Sequence, residues 1–314
     1  MRAGETTGRP SPAVPGFRFV SDQHRDLFDH LDEWSAAICT CAGDSGRHIK
    51  QSYVAATFSA FCVPWPELDQ DALVVARCCL LFFLVDDGSA EQLNAFDLFL
   101  HTGESADHNE PIAGYTSLLA DLEALGCETG HFVQAIRAWA SSMSHEQDIK
   151  IGTLTAESYY ALRRDTIFVS CVVLCWMSLL RTAVPVPAVS ANVLDLATRI
   201  VILANDLGSM RADERPPDDQ DTLVDINTVL LRSRALGSME QAVREAVIDH
   251  NALAARFRAA RADLLRDVGP DSTPTSTFLT VVRRVVNGNL DGTRHLTGER
   301  YPGSSETLRL LDSV

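Results

Sequence analysis

Two stretches of this chain, residues 72–85 and 167–180, are apolar almost all the way round a helical turn. A helix with one polar face can lie on a surface, but a helix without one must be surrounded by other elements. Nearly every other long segment repeats its apolar residues with a helical period, and alternating strand patterns are scarce. The pattern predicts helices over 21–43, 48–62, 68–87, 91–101, 111–126, 128–147, 155–181, 187–210, 222–233, 237–268 and 273–291. Breaks fall at Pro64 and Pro66, at Gly103, at Pro185 and Pro187, and at Pro216 and Pro217. The expectation is an all-α, single-domain helical bundle, with central helices that leave room for an apolar cavity. The first 15 residues have no apolar core and are expected to be disordered.

The chain has 314 residues, enough to bury a sizeable core. Its net charge of −15 argues against a nucleic-acid binder, which would carry a basic face. An anion site on such a chain must be built locally, from metal ions and a few arginines. Arginine is the plentiful cation, because only Lys50 and Lys150 among the 27 basic residues are lysines. The eight cysteines mostly sit in apolar runs without zinc-site spacing and read as buried free thiols. That usage points to a reducing, cytoplasmic setting. No signal peptide is apparent, and the most apolar stretch, 167–180, is too short for a comfortable membrane span.

Two polar clusters interrupt this apolar pattern. The first, Asp86-Asp87-Gly88-Ser89-Ala90-Glu91, follows directly on Phe82-Phe83-Leu84-Val85. Adjacent carboxylates at the end of a buried run need partners, and a divalent cation is one. Hard oxygens of this kind suit Mg²⁺. If the helix continues, Asp87 and Glu91 share a face. The second cluster places Asn205, Ser209 and Asp213 at i, i+4 and i+8. On a helix these lie within about 80° of one another over roughly 12 Å, an amide, a hydroxyl and a carboxylate in one chelating row. The two clusters cap apolar helices about 120 residues apart.

These residues resemble the class I terpene synthases of bacteria. The family's first motif, DDxxD or DDxxxE, is matched by Asp86, Asp87 and Glu91. Its second, NDxxSxxxE, is matched by Asn205, Asp206 and Ser209, with Asp213 in place of the final glutamate and Glu214 beside it. The segment Tyr159-Tyr160-Ala161-Leu162-Arg163-Arg164-Asp165-Thr166-Ile167 is similar to the region that holds the family's diphosphate-sensing arginine. Gly288-Asn289 and Arg300-Tyr301 resemble its C-terminal landmarks, although the tryptophan often found between them is missing.

The resemblance implies a Mg²⁺-dependent cyclase acting on a linear prenyl diphosphate, with three ions expected around the diphosphate. It implies Asp86, Asp87, Glu91, Asn205, Ser209 and Asp213 as metal ligands. Arg163 or Arg164, Arg211, Arg300 and Tyr301 would meet the diphosphate. Phe83 and Phe82 would face the carbocation through their rings, and Thr166 and Ile167 would help to trigger ionisation. Phe58, Phe61, Trp65 and Trp176 read better as core. Residues 16–301 would form the helical domain and 302–314 a tail belonging to the active-site lid. The assembly implied is a homodimer. Geranylgeranyl diphosphate is favoured over farnesyl diphosphate, because the tyrosine–arginine segment and Phe96-Asp97-Leu98-Phe99-Leu100 are similar to diterpene cyclases. A chain-elongating prenyltransferase would share the helical cavity but normally carries two aspartate-rich motifs. A non-catalytic helical lipid-binding bundle would explain the apolar helices but not the two capping clusters.

Overall fold

The computed structural model describes residues 17–38, 45–63, 70–104, 109–146, 155–185, 187–213, 227–268, 272–298, 300–301 and 303–314. Every regular element among them is helical. In chain order these are α1 (Asp22–Ile38), α2 (Ser45–Cys62), α3 (Gln70–Asp86), α4 (Ala90–Thr102), α5 (Glu110–Ala124), α6 (Gly130–Glu146) and α7 (Ala156–Thr166). There follow α8 (Val169–Leu179), α9 (Pro187–Asp213), α10 (Thr228–Leu236), α11 (Met239–Val268), α12 (Thr273–His295), a 3₁₀ turn (Leu296–Gly298) and a short α13 (Ser305–Leu308). Among the described residues no helix is long and apolar enough to cross a membrane. The prolines at 64, 66, 216 and 217, Trp65, Glu214, Cys39, Cys41 and the first 15 residues lie outside the described residues.

The two stretches without a polar face become α3 and α8, and both are central. Eleven of the 17 residues of α3 are buried, and eight of the 11 of α8. The α3 helix packs on α2, α5 and α8, while α12 packs on α2, α8 and α9. Burying these side chains is the main favourable contribution to the bundle. A cavity remains between α2, α3, α8, α9 and α12.

Local chemistry sets several boundaries. A capping box starts α4: Ser89 Oγ accepts from Gln92 N, and Gln92 Oε1 accepts from Ser89 N. Gly103 ends it in the left-handed conformation at φ 77°. Asn109 caps α5 by accepting from Ile112 N at 3.0 Å.

One expected element is corrected. The helix expected over 155–181 is two helices, broken at Ile167, whose ψ of 128° is extended. No glycine or proline marks the break. A tertiary hydrogen bond holds it instead, with the Trp139 indole donating to the Thr166 carbonyl at 2.9 Å. The helix expected over 187–210 also runs on to Asp213, so the whole Asn-Ser-Asp row is helical.

The C-terminal tail is fastened to the outside of the bundle. Leu308 and Leu311 pack with Leu203, Leu207 and Leu290. Asn287 exchanges two hydrogen bonds of 2.8 Å with the backbone of Val314. None of the tail's described residues lines the cavity.

Candidate active site

The first wall of the site is the last turn of α3. Asp86 is its final residue, and the chain then turns before Ser89 starts α4. Glu91 therefore sits in the first turn of a different helix, exposed and outside the cavity lining. The shared face expected for Asp87 and Glu91 does not form, because the capping box at Ser89 restarts the helix at a new angle. Asp87 is turned toward α2, where Gln51 Nε2 donates to its Oδ2 at 2.9 Å and to the Phe83 carbonyl at 3.0 Å. Asp86 faces the cavity, 3.8 Å from Arg300. Burial pushes its carboxyl up to about 6, against the pull of Arg300 and with help from Asp87.

The second wall is the C-terminal end of α9. Asn205, Ser209 and Asp213 line the cavity on one stripe, as their spacing predicts. Ser209 Oγ donates to Asp213 Oδ2 at 2.5 Å. Tyr301, buried at the base of the tail, is 3.4 Å from Asn205 Nδ2 through its hydroxyl. Asp206, between Asn205 and Ser209, also lines the cavity, but its carboxylate is engaged by neighbours on other elements. It accepts from the Tyr159 hydroxyl at 2.5 Å and from Thr228 N at 2.9 Å. Burial pushes Asp206 up to about 6, opposed first by Arg163 and then by these two donors.

Arg163 closes the ring from α7. It reaches Glu146 of α6 at 3.7 Å and Thr166 Oγ1 at 3.4 Å, and it lines the cavity. Burial works against its charge, but Tyr159, Glu146, Asp206 and Asp86 together hold the guanidinium above its ordinary pKa. Arg164 points the other way and forks onto its neighbour Asp165 at 2.9 and 3.2 Å. Of the two arginines, only Arg163 lines the cavity. Arg211 is also outside the cavity, exposed and packed against Gly303. Arg300 stands at the mouth, its guanidinium 4.9 Å above the Phe83 ring.

The cavity between these walls holds about 510 Å³, within the usual range for small-molecule sites. One end is polar and carries Asp86, Asp87, Asn205, Ser209, Asp213, Arg163 and Arg300. The other is apolar, lined by Phe58, Phe82, Phe83, Cys62, Cys79 and Val172 among others. Phe83 lies nearly parallel to Phe58 at 6.1 Å and edge-on to Phe82 at 5.0 Å. Phe58 therefore belongs to the cavity rather than the plain core. Phe61 packs on His295, and Trp176 is buried away from the lining. Ile167 lines the cavity, but Thr166 does not, and its carbonyl is taken by Trp139.

Sequence reading missed three contributors, Gln51, Glu146 and Asn227, none of which belongs to a motif, and gave Asn289 only as half of the Gly288-Asn289 landmark. Glu146 and Asn289 line the cavity, while Gln51 and Asn227 grip residues that do. The signal for Gln51 was weak, because it stands in a stretch of α2, residues 51–59, that is buried throughout and also holds Ser52, Thr57 and Ser59.

The donor set fits a divalent cation shared with a ligand. Among the described residues no three His, Cys, Asp or Glu side chains converge on one point. Each wall instead offers an incomplete set of hard oxygens. That is how Mg²⁺ is usually held, with one or two carboxylates plus waters and substrate phosphates. Two buried polar atoms of the lining residues, Arg163 Nε and Asn289 Oδ1, have no hydrogen-bond partner, as befits a cavity built for a polar-headed ligand.

Comparison with known proteins agrees with this geometry. No curated protein is significantly similar in sequence. Among solved structures, the fold is similar to linalool/nerolidol synthase from Streptomyces clavuligerus, solved with 2-fluorogeranyl diphosphate, at a TM-score of 0.72 and 17% identity over 88% of this chain and 100% of that one. It is similar to 2-methylisoborneol synthase from Streptomyces coelicolor A3(2) at 0.64 and 16% identity, covering 93% of each chain. An ancestral reconstruction, SVS_A2 in a five-residue variant, gives 0.70 and 19% identity over 86% of this chain and 83% of that one. The family model for terpene synthase family 2, C-terminal metal binding, matches residues 78–256, more than half of the chain and both polar walls. The chain belongs to the terpene synthases of family 2, lyases that act on prenyl diphosphates with a divalent metal.

Proposed function

We propose that the chain is a class I terpene cyclase that uses Mg²⁺ to ionise a linear prenyl diphosphate, geranylgeranyl diphosphate ahead of farnesyl diphosphate. The observation that carries this reading is the pairing of Asp86 with the Asn205–Ser209–Asp213 row across one cavity whose depth is apolar. Bound Mg²⁺, three ions in this reading, would neutralise the diphosphate and favour heterolysis of its C–O bond. Asp86 would hold metal from the α3 side, and Asn205, Ser209 and Asp213 from the α9 side. Asp87, gripped by Gln51, supports the turn more than it ligates.

Arg163 and Arg300 offer guanidinium forks to the phosphate oxygens, and Tyr301 a hydroxyl beside Asn205. The electron pair of the broken bond leaves with diphosphate. The remaining allylic cation meets the faces of Phe83, Phe82 and Phe58. Attack by its own double bonds closes rings, and loss of a proton or capture of water ends the sequence.

Incubation with Mg²⁺ and geranyl, farnesyl or geranylgeranyl diphosphate tests the reading. The expected result is a cyclic product and diphosphate release, greatest with the C20 substrate. No diphosphate release from any of the three would refute it. Longer chains formed on adding isopentenyl diphosphate would point to elongation instead.

Metal binding should depend on pH through Asp86. A carboxyl raised to about 6 keeps its proton in the metal-free protein until that pH, and a cation needs the carboxylate. Affinity for Mn²⁺ added without pyrophosphate, which titrates in the same range, is therefore expected to fall about tenfold per unit below about pH 6 and to level off above it. The same shift means that the metal-free fold loses stability as pH rises from the ordinary carboxylate value of 3.8 through about 6. Isothermal titration between about pH 5 and about pH 7.5 measures the first effect. An affinity flat across that range would remove Asp86 as the titrating ligand.

A further inference from the structure

Asn227 lies 14 residues beyond the metal-binding row, at the start of α10, yet its side chain returns to that row. Its Nδ2 donates to Asp213 Oδ2 at 2.8 Å and to the Asp206 carbonyl at 2.8 Å, with Ser209 Oγ at 3.3 Å. Its Oδ1 is occupied elsewhere, accepting from Val229 N at 2.9 Å and Leu230 N at 3.4 Å as the N-cap of α10. The residue is 2% exposed. With the oxygen committed to the cap, Asn227 presents only N–H to the row and cannot itself be a metal ligand.

We infer that Asn227 is the positioning residue of the second metal site and that it supports the short final carboxylate, Asp213. The inference rests on the functional reading above. Aspartate has one methylene fewer than the glutamate of the family pattern, so its carboxylate starts closer to the α9 backbone. Ser209 Oγ and Asn227 Nδ2 both meet the same oxygen, Oδ2. Two donors on one oxygen fix the rotation of the carboxylate. Donors that orient a ligand in this way set metal affinity almost as strongly as the ligands.

The same segment is pinned a second time, because Thr228 N donates to Asp206 Oδ2 at 2.9 Å. The start of α10 is thus locked to α9 on both sides of Ser209. Asn227 can hold its place only if it caps α10 and grips α9 together.

The two roles separate by substitution. Asn227→Ser keeps a capping oxygen at this position but is too short to donate to Asp213. We expect a melting temperature close to wild type and about 10- to 100-fold weaker Mn²⁺ binding in the presence of inorganic pyrophosphate, read by electron paramagnetic resonance. Asp213→Glu in the same background is expected to restore most of the affinity, since the longer side chain needs less support. Asn227→Ser with wild-type Mn²⁺ affinity and an intact fold would overturn the inference. So would weakened binding that Asp213→Glu fails to restore, because Asn227 would then act on the fold rather than on Asp213. Wild-type protein that takes up no Mn²⁺ would instead remove the functional reading on which the inference stands.

Discussion

Asn205→Ala is expected to cut turnover at least about a hundredfold while leaving the helical signal and melting temperature near wild type. The reason is positional. Asn205 lines the cavity in a row with Ser209 and Asp213, and its described polar contact is the long 3.4 Å approach to the Tyr301 hydroxyl. Removing its amide therefore breaks little that the fold relies on. It does remove one hard oxygen from a wall that offers an amide, a hydroxyl and a single short carboxylate. Mg²⁺ demands near-ideal octahedral geometry, so a row this sparse tolerates the loss poorly. Asp206→Ala should behave differently. Asp206 accepts from Tyr159 and Thr228 in the buried interior, and its loss leaves both donors unpaired and lowers stability. Circular dichroism melting beside a diphosphate-release assay separates the two. Near-normal release by Asn205→Ala would mean that the second metal site lies elsewhere.

The contrast between those neighbours shows what could be read from residues alone. Helical period placed Asn205, Ser209 and Asp213 on one stripe, and the structure keeps them there, because i, i+4 spacing on an unbroken helix leaves no freedom. The all-α fold was legible for the same reason: the apolar stretches at 72–85 and 167–180 could only be interior helices. The first motif was harder. Whether Glu91 joins Asp87 depends on whether α3 continues, and the capping box formed by Ser89 and Gln92 decides that it does not. That signal was local and readable. The break at Ile167 was not readable, because its cause is the Trp139 indole arriving from another helix. Which of Arg163 and Arg164 lines the cavity belongs to the same class: one residue of rotation decides it, and Arg163's partner on another helix, Glu146, becomes known only in three dimensions. Asn227 follows suit, since a cap residue carries no mark of the carboxylate it will reach.

Gly288→Ala is expected to destabilise the protein by about 1–2 kcal/mol, against the usual direction for glycine inside a helix. Helix propensity alone would favour alanine by about 1 kcal/mol. Here α12 crosses α2 so closely that an added Cβ would stand 2.4 Å from both Cα and N of Cys62. Those are backbone atoms, and no rotamer change can clear them. The helices must move apart, and overpacking of this kind costs about 1–3 kcal/mol, here at the upper end because the clash is with backbone, so the propensity gain offsets only part of it. Gly46 supplies the comparison: it lies in α2, and a methyl group added there would meet nothing within 4 Å, so Gly46→Ala should be neutral or slightly stabilising. The melting temperature of Gly288→Ala should then fall by roughly 2–4 °C while that of Gly46→Ala stays level or rises slightly. The displaced helices carry Phe58, Cys62 and Val285 on the cavity wall. Gly288→Ala enzyme that still folds should therefore change its product mixture, because the surface that shapes the cation has moved. A melting temperature equal to wild type would show that the α2–α12 crossing is looser than its geometry indicates.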